Sequence, residues 1–339
     1  MKQNKLSVVF LGTPLFSVPT LRSLINHPLC ALKGVITQPD KPQGRGQKVQ
    51  PPPIKKFCLE NKIPCFQFTS LNTEEGLLCL KKLAPDLVIV VAFGQILSDK
   101  ILNLPQYGCY NAHASLLPTY RGAAPINWAL IHGEKETGVT IIKLVKKMDA
   151  GPILLQEKIP LDSSDNAQTL HDKLSHLSAR LVTFSLEVLA SVNDFAVSQK
   201  SFTDFTNPGT NATSPIQNLR PQIEKEATYA PLIHKNDCKI NWKEPSLKVY
   251  NFIRGLSPQP CAFTFLNNSP LKVFASELTD QKSSNTPGTI QNYSQNGILI
   301  STKDTALLLT EIQLANKKRM TAHEFLKGYS LQKGTQLGI

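Results

Sequence analysis

The sequence predicts a two-domain α/β chain, with a doubly wound, mostly parallel sheet followed by a smaller β-barrel. Three observations carry this reading. Apolar runs alternate with helix-spaced segments through the first 200 residues, a polar aperiodic stretch follows at 201–222, and short strand patterns recur beyond it. Leu6–Leu11, Ala31–Thr37 and Leu87–Phe93 have the length and β-branched content of buried strands. Between them, Val18, Leu21, Leu24 and Ile25, and then Leu77, Leu78, Leu80 and Leu83, keep helical spacing. Strands that alternate with helices favour a Rossmann-like sheet. Val139–Val145 and Ile153–Ile159 predict two more strands around a tight loop, Asp149-Ala-Gly-Pro152, and Leu170–Leu189 a long amphipathic helix.

Ser, Thr, Asn and Pro dominate residues 201–222, which reads as a linker. The expected division is therefore a first domain over 1–200, a linker over 201–222 and a barrel domain over 223–330. In the latter, strand patterns fall at Cys261–Leu266, Leu271–Ser276, Gly288–Gln291, Gly297–Thr302 and Ala306–Gln313, with Asn267-Asn268, Asn285 and Asn296-Gly297 supplying turns. This suggests a small closed or half-closed OB-like β-barrel. Helices are expected near Leu247–Arg254 and after Thr321, where Thr321-Ala-His-Glu324 has the form of a capping box.

With 339 residues, 41% of them hydrophobic and 18% charged, the chain has globular composition and room for two cores. Its longest fully apolar run, Leu87–Phe93, is far below the ~20 residues of a membrane-spanning helix. Lys2 and Lys5 precede Leu6–Leu11, but Gly12 and Pro14 end that stretch, which reads as a first strand rather than a leader. A cytoplasmic chain is expected. The seven cysteines contain no Cys-x-x-Cys pair, and no metal is expected; the Asn211-Ala-Thr213 sequon carries no weight without a secretory signal. The formal charge is +12, with 22 basic against 15 acidic residues over 1–200 and 15 against 10 over 201–339. Both halves are basic, so the excess is not one tail, and a polyanionic partner such as nucleic acid is indicated.

Chemistry concentrates in Tyr110-Asn-Ala-His-Ala-Ser-Leu-Leu-Pro-Thr-Tyr-Arg-Gly-Ala-Ala-Pro-Ile126. Asn111 and His113 are two apart, so on a strand both side chains point the same way. An amide and an imidazole aimed at one point can donate to a developing oxyanion, although the spacing taken alone favours a satisfied structural pair. Ser115-Leu-Leu-Pro118 then turns the chain, offering backbone groups beside apolar side chains, which suits a flat heterocycle. Asp149 lies in the loop between two predicted strands; if that loop packs beside the Asn111 strand, its carboxylate favours the imidazolium of His113. As a plain turn residue before Gly151, Asp149 is as well explained. The segment 38–53 places Lys41, Arg45 and Lys48 among glycines and prolines with Asp40 as its one acid, a composition suited to phosphate contact or to a solvated loop.

These motifs resemble the folate-dependent formyltransferases. The resemblance runs from Phe10-Leu-Gly-Thr-Pro14 through Thr37-Gln-Pro-Asp40, Gly44-Arg-Gly46, the Asn111 block and Met148-Asp-Ala-Gly151 to Lys317-Lys-Arg-Met320. Asn-x-His and the aspartate are common to the superfamily, whereas Arg-Gly-Ala-Ala-Pro and Gly-Arg-Gly point to the branch acting on methionyl-tRNA. The resemblance implies that Asn111 and His113 stabilise an oxyanion on the formyl carbon of 10-formyltetrahydrofolate, and that Asp149 sets the charge of His113. Ser115, Leu116, Leu117 and Pro118 would line the folate pocket. Lys41, Arg45 and Lys48, with Lys317, Lys318 and Arg319 of the second domain, would contact initiator tRNA, and the protein would act as a monomer. Departures from the family pattern are Ala114 for glycine, Thr119 for arginine, Asn241 for aspartate and Gln259 for tryptophan. A glycinamide-ribonucleotide or sugar-nucleotide formyltransferase, a formyl-folate hydrolase and a catalytically inactive RNA binder remain as alternatives at this stage.

Overall fold

The structure is a computed structural model, and it describes residues 5–44, 46–191 and 219–338. Arg45 and most of the expected 201–222 linker lie outside these residues. Contacts divide the chain into two compact units, neither continuous in sequence. One comprises Met1–Arg121, Gly138–Ile159 and Asp172–Tyr229; the other comprises Gly122–Thr137, Pro160–His171 and Ala230–Ile339.

The first unit is built on strands β1 (Leu6–Gly12), β2 (Cys30–Thr37), β5 (Cys65–Gln67), β6 (Leu87–Val91), β7 (Cys109–His113), β8 (Glu136–Lys143) and β9 (Ile153–Pro160). A small hairpin, β3 (Lys41–Gln43) with β4 (Lys48–Gln50), stands apart from the main sheet. The order across the sheet is β5-β2-β1-β6-β7-β8-β9. The five strands from β5 to β7 are parallel, and β8 runs antiparallel to β7. All five residues of β6 are buried, as a strand covered on both faces requires. That strand stops at Val91, earlier than the apolar run suggests, because Ala92 takes a left-handed φ of 47°. Helices α1 (Val18–Ile25), α2 (Pro53–Glu60), α3 (Glu74–Leu83) and α4 (Asp99–Leu102) connect the parallel strands. In α3 the Thr73 hydroxyl caps the Gly76 amide at 3.2 Å, with acids in the first turn and lysines in the last. Val9, Leu11, Ile36, Leu80, Val88 and Val90 belong to one buried cluster.

The strand order reverses between β1, which leads to β2 on one side, and β6 on the other. In such sheets ligands bind beyond the carboxyl ends of the strands near the reversal. Asn111 and His113 occupy the carboxyl end of β7, one strand away. Asn111 pairs with Val90 and Ile142, and His113 with Thr140.

The second unit contains helices α5 (Pro125–His132), α7 (Ser246–Leu256) and α8 (Ala322–Gly328), while α6 (Ala167–Ser191) passes from this unit into the first. Its strands are β10 (Ala262–Leu266), β11 (Ser269–Lys282), β12 (Ile290–Ser294), β13 (Gly297–Ile300), β14 (Thr305–Leu314) and β15 (Met320–Thr321). They form an antiparallel sheet in the order β10-β11-β14-β13-β12, with β15 added to β14. The ladder does not close from β12 back to β10 among the described residues. Register shifts along the 14-residue β11 let it bend through the sheet. Trp242, Ile253, Val273, Ile300, Leu309 and Phe325 share its core. The capping box forms as the sequence predicts: the Glu324 amide donates to the Thr321 hydroxyl at 3.2 Å, and the Thr321 amide to the Glu324 carboxylate at 2.9 Å.

Candidate active site

Strand β7 brings Asn111 and His113 to one side of the sheet end, as the spacing requires. The two differ in environment. Asn111 is half-buried, and its amide has no hydrogen-bond partner among the described residues. His113 is buried, with Nε2 2.9 Å from the Tyr120 carbonyl. A carbonyl only accepts, so Nε2 carries the hydrogen in this contact. Nδ1 faces Oδ2 of Asp149 at 3.7 Å, close enough for charge attraction and too long for a hydrogen bond. The three residues are thus brought together, with one free amide donor and one imidazole edge held loosely by a carboxylate.

Asp149 reaches this position from the β8–β9 loop by adopting a left-handed φ of 49°, a conformation that Asp tolerates better than most side chains. The loop closes tightly. Lys143 N–H donates to the Pro152 carbonyl at 3.0 Å, and the Ala150 amide to the Lys147 carbonyl at 3.3 Å. Gln222 meets the same loop: its Nε2 donates to the carbonyls of Asp149 and Gly151, each at 2.7 Å. Its Oε1 accepts from Arg121 Nε at 3.0 Å and Nη2 at 2.8 Å. Arg121 is only 1% exposed, and its remaining Nη1 bonds Glu224 at 3.0 Å. Glu224 also receives Lys147. Hydrogen bonds from Lys147 and then from Arg121 hold the Glu224 carboxyl below its ordinary pKa.

The Ser115–Pro118 turn is fastened internally. The Ser115 carbonyl accepts from Thr140, that of Leu116 from Thr119, that of Leu117 from Gln156 and that of Pro118 from the Thr228 amide. The Ser115 hydroxyl donates to the Thr119 carbonyl at 2.6 Å, and Leu117 is packed with Ile142 and Ile153. The side chains of Ser115 and Leu117 therefore support the turn, whereas Leu116 and Pro118 remain half-exposed. The hydroxyl of Thr119, one of the departures from the family pattern, bonds the Leu116 carbonyl at 2.5 Å and so belongs to this same turn.

Among the proposed tRNA contacts, Lys41 lies on β3 and Lys48 on β4, both exposed. Asp40, the acid of that segment, is paired with Lys55 at 2.8 Å and accepts from Gln67 at 2.7 Å; the hydrogen bond from Lys55 leads in lowering its pKa. Lys317 and Lys318 are exposed in the β14–β15 turn. Arg319 is engaged: it forks onto both carboxylate oxygens of Glu311, at 2.7 and 2.5 Å, and lies 4.3 Å above the Phe274 ring. Among the described residues, no three His, Cys, Asp or Glu side chains are grouped to hold a metal ion. No described helix is long and apolar enough to cross a membrane.

At the end of a parallel sheet the structure thus brings together the Asn111 amide, the His113 imidazole and the Asp149 carboxylate. Comparison with known proteins gives the class directly: residues 5–184 match the formyl transferase family and residues 232–330 the formyl transferase C-terminal domain. Methionyl-tRNA formyltransferase of Bacillus velezensis is 42% identical over 332 residues, covering 98% of this chain and 97% of the relative. That of Geobacter sulfurreducens is 39% identical over 98% of this chain and 97% of its own length. Among solved structures, an N-formyltransferase from Helicobacter canadensis in complex with folinic acid and dTDP-3-aminofucose superposes with a TM-score of 0.60 at 19% identity, covering 92% of this chain and all of that one. HypX from Aquifex aeolicus in complex with tetrahydrofolic acid gives 0.59 at 15% identity, over 98% of this chain and 51% of that one. The chain belongs to the formyltransferase family, and within it to the methionyl-tRNA formyltransferases.

Sequence reasoning missed two residues of this site. Arg121 stands inside a quoted motif, but nothing in the sequence marks its charge as buried. Gln222 falls at the end of the expected linker, 73 residues from Asp149, and no local pattern distinguishes it from other polar residues there.

Proposed function

We infer that this chain transfers the formyl group of 10-formyltetrahydrofolate to the α-amino group of methionine on initiator methionyl-tRNA, preparing it for translation initiation. The carrying observation is the Asn111 side-chain amide, unpartnered among the described residues, beside the His113–Asp149 pair, in a chain 42% identical to a methionyl-tRNA formyltransferase over its length.

The folate supplies the formyl carbon, and the half-exposed Leu116 and Pro118 suit the apolar faces of its ring. Asn111 has donors to give to the oxyanion that develops on amine attack. Nε2 of His113 is committed to the Tyr120 carbonyl, so Nδ1, on the edge 3.7 Å from Asp149, is the nitrogen left to serve the reacting atoms. A protonated Nδ1 donates to the oxyanion and cannot also accept the proton leaving the amine; that proton passes to Asp149 or to water, and collapse of the oxyanion then breaks the bond from the formyl carbon to N10, which takes up a proton and leaves as the amine of tetrahydrofolate. Lys41, Arg45, Lys48, Lys317 and Lys318 supply phosphate contact, with Arg319 held by Glu311. In this reading the catalytic domain is 1–200, which also carries Lys41, Arg45 and Lys48, and 223–330 is a second tRNA-contacting domain, joined to it by 201–222. We take the protein to act as a cytoplasmic monomer.

The test offers 10-formyltetrahydrofolate together with initiator methionyl-tRNA, glycinamide ribonucleotide, a sugar-nucleotide amine or water alone. Formylation of methionyl-tRNA at a kcat/KM at least about 100-fold above that for the other amines is expected, a discrimination of about 2.7 kcal/mol. Preference for either small amine, or faster hydrolysis, would overturn the assignment.

A further inference from the structure

We propose that Gln222, oriented by Arg121, is a positioning residue that sets the Asp149 carboxylate against His113. This rests on the reading of Asp149 as part of the catalytic site.

The argument begins with hydrogen-bond capacity. A glutamine amide has two donors on one side and an acceptor on the other, and its two orientations are nearly isosteric. Arg121 decides between them. Its Nε and Nη2 both point at one atom of Gln222, at 3.0 and 2.8 Å, and since a guanidinium only donates, that atom must be the oxygen. Nε2 of Gln222 is then directed at the loop, where its two hydrogens meet two carbonyls at 2.7 Å each. Those carbonyls belong to Asp149 and Gly151, on either side of Ala150. The bonds therefore hold the backbone of the residue that faces His113, at its left-handed φ, without touching its carboxylate. Burial of Arg121 keeps the fork away from water, and Glu224 takes its remaining charge. The contacts join residues 73 and 101 positions apart, so the loop geometry depends on chain that returns to the sheet after residue 218.

The experiment compares wild type, Gln222→Glu, Gln222→Met, Asp149→Asn and the Asp149→Asn/Gln222→Glu pair. Formylation of methionyl-tRNA gives kcat and KM, thermal unfolding reports the fold, and hydrogen exchange is followed over 146–152. Gln222→Glu keeps an acceptor for Arg121 and loses both donors; Gln222→Met keeps the volume. Both are expected to lose about 10- to 100-fold in kcat, the range for displacing a catalytic group by up to about 1 Å. KM for either substrate should stay within about threefold, cooperative unfolding should remain, and exchange over 146–152 should quicken. In the Asp149→Asn background Gln222→Glu should add less than about twofold, because a residue acting through Asp149 has nothing left to position. Multiplicative losses, wild-type kcat in Gln222→Glu, or loss of cooperative unfolding in both Gln222 variants would overturn the proposal. A near-normal kcat in Asp149→Asn is the separate result that removes the catalytic reading of Asp149, and the proposal with it.

Discussion

Gly151 gives the most demanding prediction, because its cost can be worked from a distance. An ideal Cβ built on Gly151 would lie 1.7 Å from the Lys143 carbonyl oxygen, whereas real Cβ contacts essentially never fall under 3.0 Å. Gly151→Ala must therefore open the β8–β9 loop by 3.0 − 1.7 = 1.3 Å or more. The movement falls on the backbone that carries Asp149 and receives Gln222. A misplacement of about 1 Å at a catalytic group costs on the order of 100-fold, so kcat for methionyl-tRNA formylation should fall about 100-fold. Overpacking costs about 1–3 kcal/mol, and at roughly 2–4 °C per kcal/mol the apparent Tm should drop by about 2–12 °C. Gly328→Ala is the control, because a Cβ there meets nothing within 4 Å and the residue lies at the end of α8. Steady-state kinetics and a thermal scan on both variants decide the matter. Gly151→Ala with kcat within about twofold of wild type and an unchanged Tm would refute the steric reasoning.

Five further outcomes follow from the same site and surface. Asn111→Ala should lower kcat about 100- to 1000-fold, as expected for loss of one oxyanion donor; near-normal turnover would remove Asn111 from catalysis. Arg45→Ala should weaken formylation of tRNA far more than folate binding, and equal losses measured by kinetics and folate titration would exclude a tRNA role for Arg45. Replacing Lys317 and Lys318 together should lower tRNA affinity and reduce the slope of log K against log salt by about 1–2. Arg319→Ala, given its pairing with Glu311 and Phe274, should change that slope less and show mainly as a small loss of thermal stability. For Glu224, the folded pKa lies below the ordinary value of 4.5. The stabilisation is present above the unfolded pKa and is lost as pH falls through the lower folded one. Glu224→Gln should therefore be less stable than wild type at neutral pH, and denaturant titrations should show the two converging in acid well below pH 4.5.

Much of this protein is determined by its sequence alone, where the physics is local. The buried strands β1, β2 and β6 follow from apolar runs, the α8 cap from two residues three apart, and the shared side of Asn111 and His113 from strand periodicity. Motif content also carries the resemblance to formyltransferases, which the comparisons show. The tertiary structure decided what depends on residues distant in sequence. Asp149 reaches His113 only because β8 pairs with β7 and the following loop turns back through a left-handed residue. The fastening of Ser115–Pro118 relies on Thr140 and Gln156, and the pairing of Arg319 on a neighbouring strand. Burial of Arg121 and the amide orientation of Gln222 are products of chain segments about 100 residues apart meeting at one loop. A hydrogen bond has no sequence signature when its partners come together only after the sheet has formed.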